Sequence, residues 1–324
     1  MLELDRTEIE IQQRNGLELL DLSLLLLRRH FLVLLAASSV MTLPVMLINI
    51  WLTHWMVSED AILVAESTLQ PELFVKARYI SHLVALYFVQ FPLLSLPVTM
   101  LLGSLVFYES KDIYSLCRQF IQLWKPCLVI LGLMRLGIVP LLLEPMVDRS
   151  LYFDTGVEMW ILVLIPAVAG LVRSVSPFAP EIIGLEGCPL RSTKQSQPSY
   201  RSRSRFLHSP LQGNLTVHYV VAIIHCCLLL AMLIGVSLFA QAILIGSWDL
   251  SEVIIYAIVP LSLWMVGLLM TVFRYLCYID SRIRLEGWEI DLRLRAESKR
   301  IAGHRLPGTK SAVKPVDNEN EAVS

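Results

Sequence analysis

The chain has 324 residues, 55% of them hydrophobic and 17% charged, with a formal net charge of −1. That composition excludes an ordinary soluble domain, because the apolar residues fall in long blocks rather than in short periodic faces. A near-neutral charge also withholds the electrostatic footprint that nucleic-acid binding requires.

Residues 1–15 are polar and mixed in charge. From Gly16 to His30 leucines dominate: Leu17, Leu20, Leu24 and Leu27 share one helical face, with Glu18 and Asp21 off it. The pattern predicts a helix lying in the membrane interface and stopped at the headgroups by Arg28 and Arg29, so 1–30 reads as a cytosolic lead with an interfacial helix. Six apolar segments follow, at 31–55, 79–107, 126–143, 159–178, 217–246 and 252–278, each close to the roughly 20 residues that a helical crossing needs. Trp51, Trp55, Tyr79, Trp124 and Trp160 stand near their ends, at the depth that aromatic rings prefer. Prolines interrupt every span but the fifth, which predicts kinked helices whose freed carbonyls are satisfied by neighbours.

Basic residues set the orientation. The segments 1–30, 108–125, 173–216 and 274–324 hold 23 of the 27 Lys and Arg, against 3 in 56–78, 144–158 and 247–251. The positive-inside bias places both termini and the 173–216 loop in the cytosol, and the chain as a multi-pass protein of the cytoplasmic (inner) membrane. After the six-helix membrane domain of 31–278, Asp280/Arg284, Arg282/Glu286, Glu289/Arg293 and Asp291/Arg295 are spaced i,i+4. They predict a charged juxtamembrane helix over 279–302, although Trp288, Ile290, Leu292 and Leu294 also alternate as in a strand. The tail, 303–324, reads as disordered. The expected fold is therefore all-α and polytopic: six transmembrane helices, an interfacial N-terminal helix and a juxtamembrane C-terminal helix.

Arg135 is the remaining basic residue and lies midway along the third span, about 13 Å from either end at 1.5 Å per residue. A central arginine costs about 2.5–3.5 kcal/mol on insertion scales, so it is expected to face protein or a cavity. No acidic residue falls at matching depth in another span. Gln90, beside Pro92, is its expected partner, together with carbonyls that Pro92 and Pro97 release. Arg201, Arg203, Arg205, Arg282, Arg284 and Trp288 form a candidate cytosolic surface for a partner protein or anionic lipids. None of the six cysteines falls in an expected external loop and no CxxC pair occurs, so neither a disulfide framework nor a redox pair is expected. His218 and His225 share a helix face, and His54 and His82 lie near one interface, but neither pair has an evident third metal ligand. No catalytic motif, cofactor motif or phosphate loop is present.

Three stretches carry a resemblance: Gly16–Phe31 (GLELLDLSLLLLRRHF), Tyr278–Leu292 (YIDSRIRLEGWEIDL) and Phe178–Gly187 (FAPEIIGLEG). Together they resemble the membrane domain of glycerophosphoryl diester phosphodiesterases and related bacterial polytopic membrane proteins. The resemblance implies a six-helix membrane module without the soluble phosphodiesterase domain, and it assigns no catalytic residue. Two functions are then expected. The first is a non-enzymatic scaffold or accessory subunit, whose partners are membrane lipids and a membrane or cytosolic protein. The alternative is a transporter or lipid-handling protein with a polar cavity around Arg135 and Gln90.

Overall fold

The computed structural model describes residues 14–58, 72–107, 113–147, 156–189 and 198–288. All regular structure among them is helical. In chain order the helices are α1 (Gly16–Arg29), α2 (Phe31–Thr53), α3 (Glu72–Leu94), α4 (Leu96–Val106), α5 (Ile113–Cys127) and α6 (Val139–Leu143). They continue with α7 (Ile165–Val175), α8 (Ala179–Gly184), α9 (Tyr200–His208), α10 (Gln212–Ile245) and α11 (Val259–Glu286). Among the described residues, four helices are long and apolar enough to cross a membrane, or up to six if each of two bent pairs makes one crossing.

The packing has the polarity of a membrane protein. In α2 the buried residues are Leu34, Ser38, Thr42, Met46, Asn49 and Thr53, a mostly small or polar stripe at helical spacing. Leu32, Val40, Leu47 and Trp51 point outwards. In water that arrangement is inverted, whereas in lipid small residues bring helices together and large apolar ones face acyl chains. The 34-residue α10 is the extreme case, burying only Leu215, Tyr219, Ala222 and Gln241. Its opposite is α11, which is buried almost all round from Gly267 to Ile283 and forms the axis of the bundle.

Prolines and tight contacts shape the helices. Pro92 lies inside α3, and the helix bends by 42° into α4. Ahead of Pro166 and Pro260 the backbone widens into π-helical turns at Trp160–Leu164 and Ile254–Ile258. Such turns re-satisfy carbonyls that a proline ring leaves without a donor. The third span departs from the straight helix expected over 126–143. It opens into π-helical turns at Leu128–Met134, breaks, and resumes as α6 with a bend of 67°. Leu136 takes a left-handed φ of 62° at the break, a conformation that costs a non-glycine residue about 1–2 kcal/mol. A side chain at Gly137 is excluded, since its Cβ would lie 2.6 Å from the Leu131 carbonyl oxygen.

Two other expectations change. The 173–216 stretch is not one open loop. Arg173 belongs to α7, every residue of α8 is buried, and α9 leads through one further turn into α10. Only 190–197 of that stretch lies outside the described residues. In α1 the buried residues are Leu19, Ser23 and Leu26, while Leu17 and Leu24 face outwards. The helix is rotated from its expected face because α11 covers it. The Arg14 amide donates to Asp280 Oδ1 (3.0 Å), and Arg284 Nη2 donates to the Arg14 carbonyl (2.7 Å). Moreover, α11 runs through residue 278 without interruption and ends at Gly287, whose φ of 68° is left-handed. Asp280–Arg284 and Arg282–Glu286 are paired as their spacing predicts, at 2.7 and 2.8 Å. Residues 289–302 of the expected juxtamembrane helix, and the 303–324 tail, lie outside the described residues.

The closest approach in the bundle yields a stability test. A Cβ at Gly267 of α11 would lie 2.1 Å from the Tyr87 hydroxyl of α3, whereas one at Gly235 of α10 would meet nothing within 4 Å. Gly267→Ala is expected to destabilise the detergent-solubilised protein by about 1–3 kcal/mol through overpacking. Gly235→Ala is expected to be neutral or slightly stabilising, since alanine is the better helix former. Thermal melting of the two variants side by side checks this.

Candidate functional site

Three arginines converge on the axis of the bundle, and each is held by a defect in a helix. Proline at 92 removes an amide and leaves acceptors in the preceding turn of α3. Arg173 takes them, donating to the carbonyls of Phe88 and of Val89 (2.5 Å for the latter) while its guanidinium lies 4.8 Å over the Phe88 ring. Arg135 stands at the break in the third span and donates to the Ser176 carbonyl and to Ser176 Oγ (2.8 Å), where α7 has ended. Arg274 of α11 donates through Nε to Glu181 Oε1 (2.7 Å) and through Nη2 to Ser95 Oγ (2.8 Å), at the bend between α3 and α4. Its guanidinium lies 5.4 Å over Phe91.

The three are 4%, 3% and 5% exposed for Arg135, Arg173 and Arg274, and they are within electrostatic range of one another. Among the described residues, Glu181 is the one carboxylate bonded to any of them, and it is fully buried. The cluster therefore carries two positive charges more than its own carboxylate neutralises. Arg135 Nη1 and Arg173 Nε are buried without a hydrogen-bond partner. Buried polar groups are costly when unmatched, and a cationic group more so, which makes this an anion-seeking site.

Two spaces flank the cluster. The first is a cleft of about 130 Å³ between α3, α10 and α11, lined by Val84, Phe88, Ile223, Leu230, Val266 and Met270 among others. It is apolar along its length, and Arg135, Arg173, Arg274 and Tyr219 stand in its wall. The second is a polar vestibule of about 490 Å³, lined by Arg135, Ser176, Tyr200, Arg201, Ser204, Arg205 and His208. Arg135 lines both.

The structure separates residues that the sequence pairs. Gln90 does not reach Arg135; its side-chain amide exchanges two hydrogen bonds with Asn49 of α2 (2.8 and 3.0 Å) and is fully used. The expected carbonyl clasp from Pro92 exists but holds Arg173 instead. Of the candidate surface, Arg201 and Arg205 are exposed beside the vestibule. Arg203 bonds both Glu186 (2.5 and 2.8 Å) and Glu286 (2.5 Å), so it ties α9 to α11. Arg282 is engaged with Glu286, and Arg284 with Asp280 and Arg14. Trp288 is only 7% exposed: it packs on Phe107 at 6.1 Å and lies beneath Arg282 at 4.6 Å. It is a core residue, because the left-handed turn at Gly287 directs the chain back onto the bundle.

Sequence reasoning missed Arg173, Arg274 and Glu181, which a count by loops assigns to the aqueous side. The available signal was Glu181 itself, an acidic residue set inside the apolar stretch Phe178–Leu185. Near the same end, burial, followed by the neighbouring Glu186 carboxylate, pushes the Cys188 thiol up to about 11, so it remains a thiol at neutral pH.

The far end of the bundle holds buried polar groups too, but there each buried carboxylate has a basic partner. Arg78 pairs with Glu158, and His82 Nδ1 lies 3.0 Å from Glu144 Oε1, all four residues being buried. His54 contacts the Tyr256 hydroxyl at 2.8 Å.

Removing the one carboxylate of the arginine cluster tests the charge balance. Glu181→Gln is expected to destabilise the protein by about 3–5 kcal/mol, because it leaves Arg274 buried without a counter-charge. The double variant Glu181→Met with Arg274→Met is expected to recover most of that loss, as read by thermal melting.

No family model matches this chain, and neither a curated protein nor a solved structure matches it. The resemblance to the membrane domain of glycerophosphoryl diester phosphodiesterases accordingly stands on its three motifs alone.

Proposed function

We propose that this protein is a lipid-handling membrane protein that binds an anionic amphiphile, with the chain in the cleft and the acidic group against Arg135, Arg173 and Arg274. The observation that carries this reading is the surplus of positive charge at the polar end of an otherwise apolar cleft. An uncharged chain alone leaves the guanidinium groups unmatched, and a water-soluble anion alone leaves the apolar walls without a partner. The cleft's modest volume suits one narrow chain. A scaffold needs only a closed bundle and an outer face, and it gives no reason for a cleft that reaches three buried arginines.

The basic asymmetry of the sequence supports an orientation in which the end carrying α1, α9 and the arginine cluster faces the cytosol. In that orientation the vestibule opens towards the cytosol, and the Arg78–Glu158 and His82–Glu144 contacts lie near the opposite face.

Two measurements test this reading. Purified protein in nanodiscs of zwitterionic lipid is expected to bind a single-chain anionic amphiphile at least about tenfold more tightly than a zwitterionic one of equal chain length, a difference of about 1.4 kcal/mol. Ile223→Trp, which fills the cleft without touching an arginine, is expected to abolish that binding. Equal binding of the two amphiphiles, or intact binding by Ile223→Trp, sinks the reading. For orientation, a reporter fused after Gly303 is expected to behave as cytosolic and one inserted near Ser67 as external; an external C-terminus reverses the assignment.

A further inference from the structure

Arg135 belongs to both spaces. Its Nη2 is held by Ser176, its Nη1 is buried without a partner, and the residue is only 4% exposed. A ligand group bound at Arg135 therefore has the apolar cleft on one side and the polar vestibule on the other. We propose that the vestibule is a second subsite, for the ligand's head: a phosphoester that carries a further polar group and is joined past Arg135 to the single chain in the cleft. This rests on the amphiphile reading and specifies its ligand.

Size, charge and the fixed geometry of the walls support the assignment. At about 490 Å³ the vestibule falls within the range of about 300–1,000 Å³ typical of small-molecule sites. That is far more room than a bare carboxylate or phosphate fills. No carboxylate lines it among the described residues, while Arg201 and Arg205 stand at its rim. With the two surplus charges of the buried cluster, the site favours a group bearing more charge than one carboxylate. A phosphate provides this, with oxygens that match the planar fork of arginine. The neutral polar groups of the wall are partly committed already. His208 donates from Nδ1 to the Ser204 carbonyl (2.6 Å) and accepts at Nε2 from the Phe178 amide (3.3 Å), and its ring stacks on Phe178 at 5.2 Å. His208 is thus a fixed wall, and the arginines are left to take the anion. Tyr200 already lies in hydrogen-bond contact with Arg135 and Ser204 Oγ with His208 Nδ1 (3.2 Å), so Ser209 and Gln212 are the wall's remaining neutral polar groups for the polar substituent.

The test uses the full chain in zwitterionic nanodiscs and displacement of a bound fluorescent single-chain anionic amphiphile. Three competitors are compared: a fatty acid, an alkyl phosphoester of the same chain length with a polyol head, and inorganic phosphate alone. The polyol phosphoester is expected to displace the probe at about tenfold lower concentration than the fatty acid. In the double variant Arg201→Gln with Arg205→Gln, whose altered residues are exposed and outside the core, that preference is expected to fall to within about twofold. Inorganic phosphate is expected not to displace the probe. A fatty acid that competes as well as the phosphoester overturns the head assignment, and so does a preference that survives the double variant. Displacement by inorganic phosphate overturns the joined ligand in favour of a free-phosphate site. In all three cases the chain dependence reported by Ile223→Trp still decides the amphiphile reading separately.

Discussion

The structure depends on the cost of placing three guanidinium groups in a medium that supplies no water. A buried arginine is tolerated in such a medium only where its donors find acceptors. Here the acceptors come from places where helices fail. The proline kink of α3 yields the Phe88 and Val89 carbonyls, the end of α7 yields that of Ser176, and the α3–α4 bend yields the Ser95 hydroxyl. The short buried helix α8 contributes Glu181. The irregular backbone and the arginine cluster thus require one another: without the breaks the arginines lack partners, and without the arginines the freed acceptors lack donors.

That exchange leaves buried atoms without hydrogen-bond partners at both ends, His82 Nε2 and Glu158 Oε2 among them at the far end, but the count of basic and acidic groups is uneven at one end only. At the far end each buried carboxylate has a basic partner, with Arg78 on Glu158 and His82 on Glu144. At the basic end one carboxylate faces three arginines, and two guanidinium nitrogens remain unmatched. Structural clasps alone do not require such an asymmetry. It sits between a narrow apolar cleft and a wide polar vestibule that share Arg135 in their walls, so charge imbalance and shape point to the same kind of ligand.

The bundle around the site is built for lipid surroundings. The inward stripe of α2 is polar or small, and α10 spends nearly all its surface outwards, so neither helix is held by a hydrophobic drive of the kind that works in water. The hold comes instead from specific contacts. Asn49 and Gln90 exchange amide hydrogen bonds, Trp264 Nε1 donates to Ser38 Oγ (2.8 Å), and Gly267 lets Tyr87 close against α11. The light packing of α10 leaves the cleft between it and α3, because residues such as Ile223 and Leu230 line a gap rather than fill one. At the basic end, Glu186, Arg203, Arg282 and Glu286 join α8, α9 and α11 into one charged network.

What the sequence determined by itself follows from short-range rules. Apolar block length identified the helices capable of crossing a membrane, most prolines marked where those helices deform (Pro44, inside the continuous α2, does not), and i,i+4 spacing identified Asp280–Arg284 and Arg282–Glu286. It also singled out Arg135 as a residue that lipid does not accept. Partner choice was decided by tertiary structure, because hydrogen bonds between helices depend on rotation and depth that no local pattern encodes. Gln90 stood at the right depth for Arg135 yet faces Asn49, and Trp288 looked like a surface residue until the turn at Gly287 folded it onto Phe107. The larger omission has the same cause. Arg173, Glu181 and Arg274 lie at the margins of apolar blocks, where a charge usually marks water. Only tertiary folding carries them into the core: the proline kink of α3 supplies the acceptors of Arg173, and the inward fold of α8 sets Glu181 against Arg274.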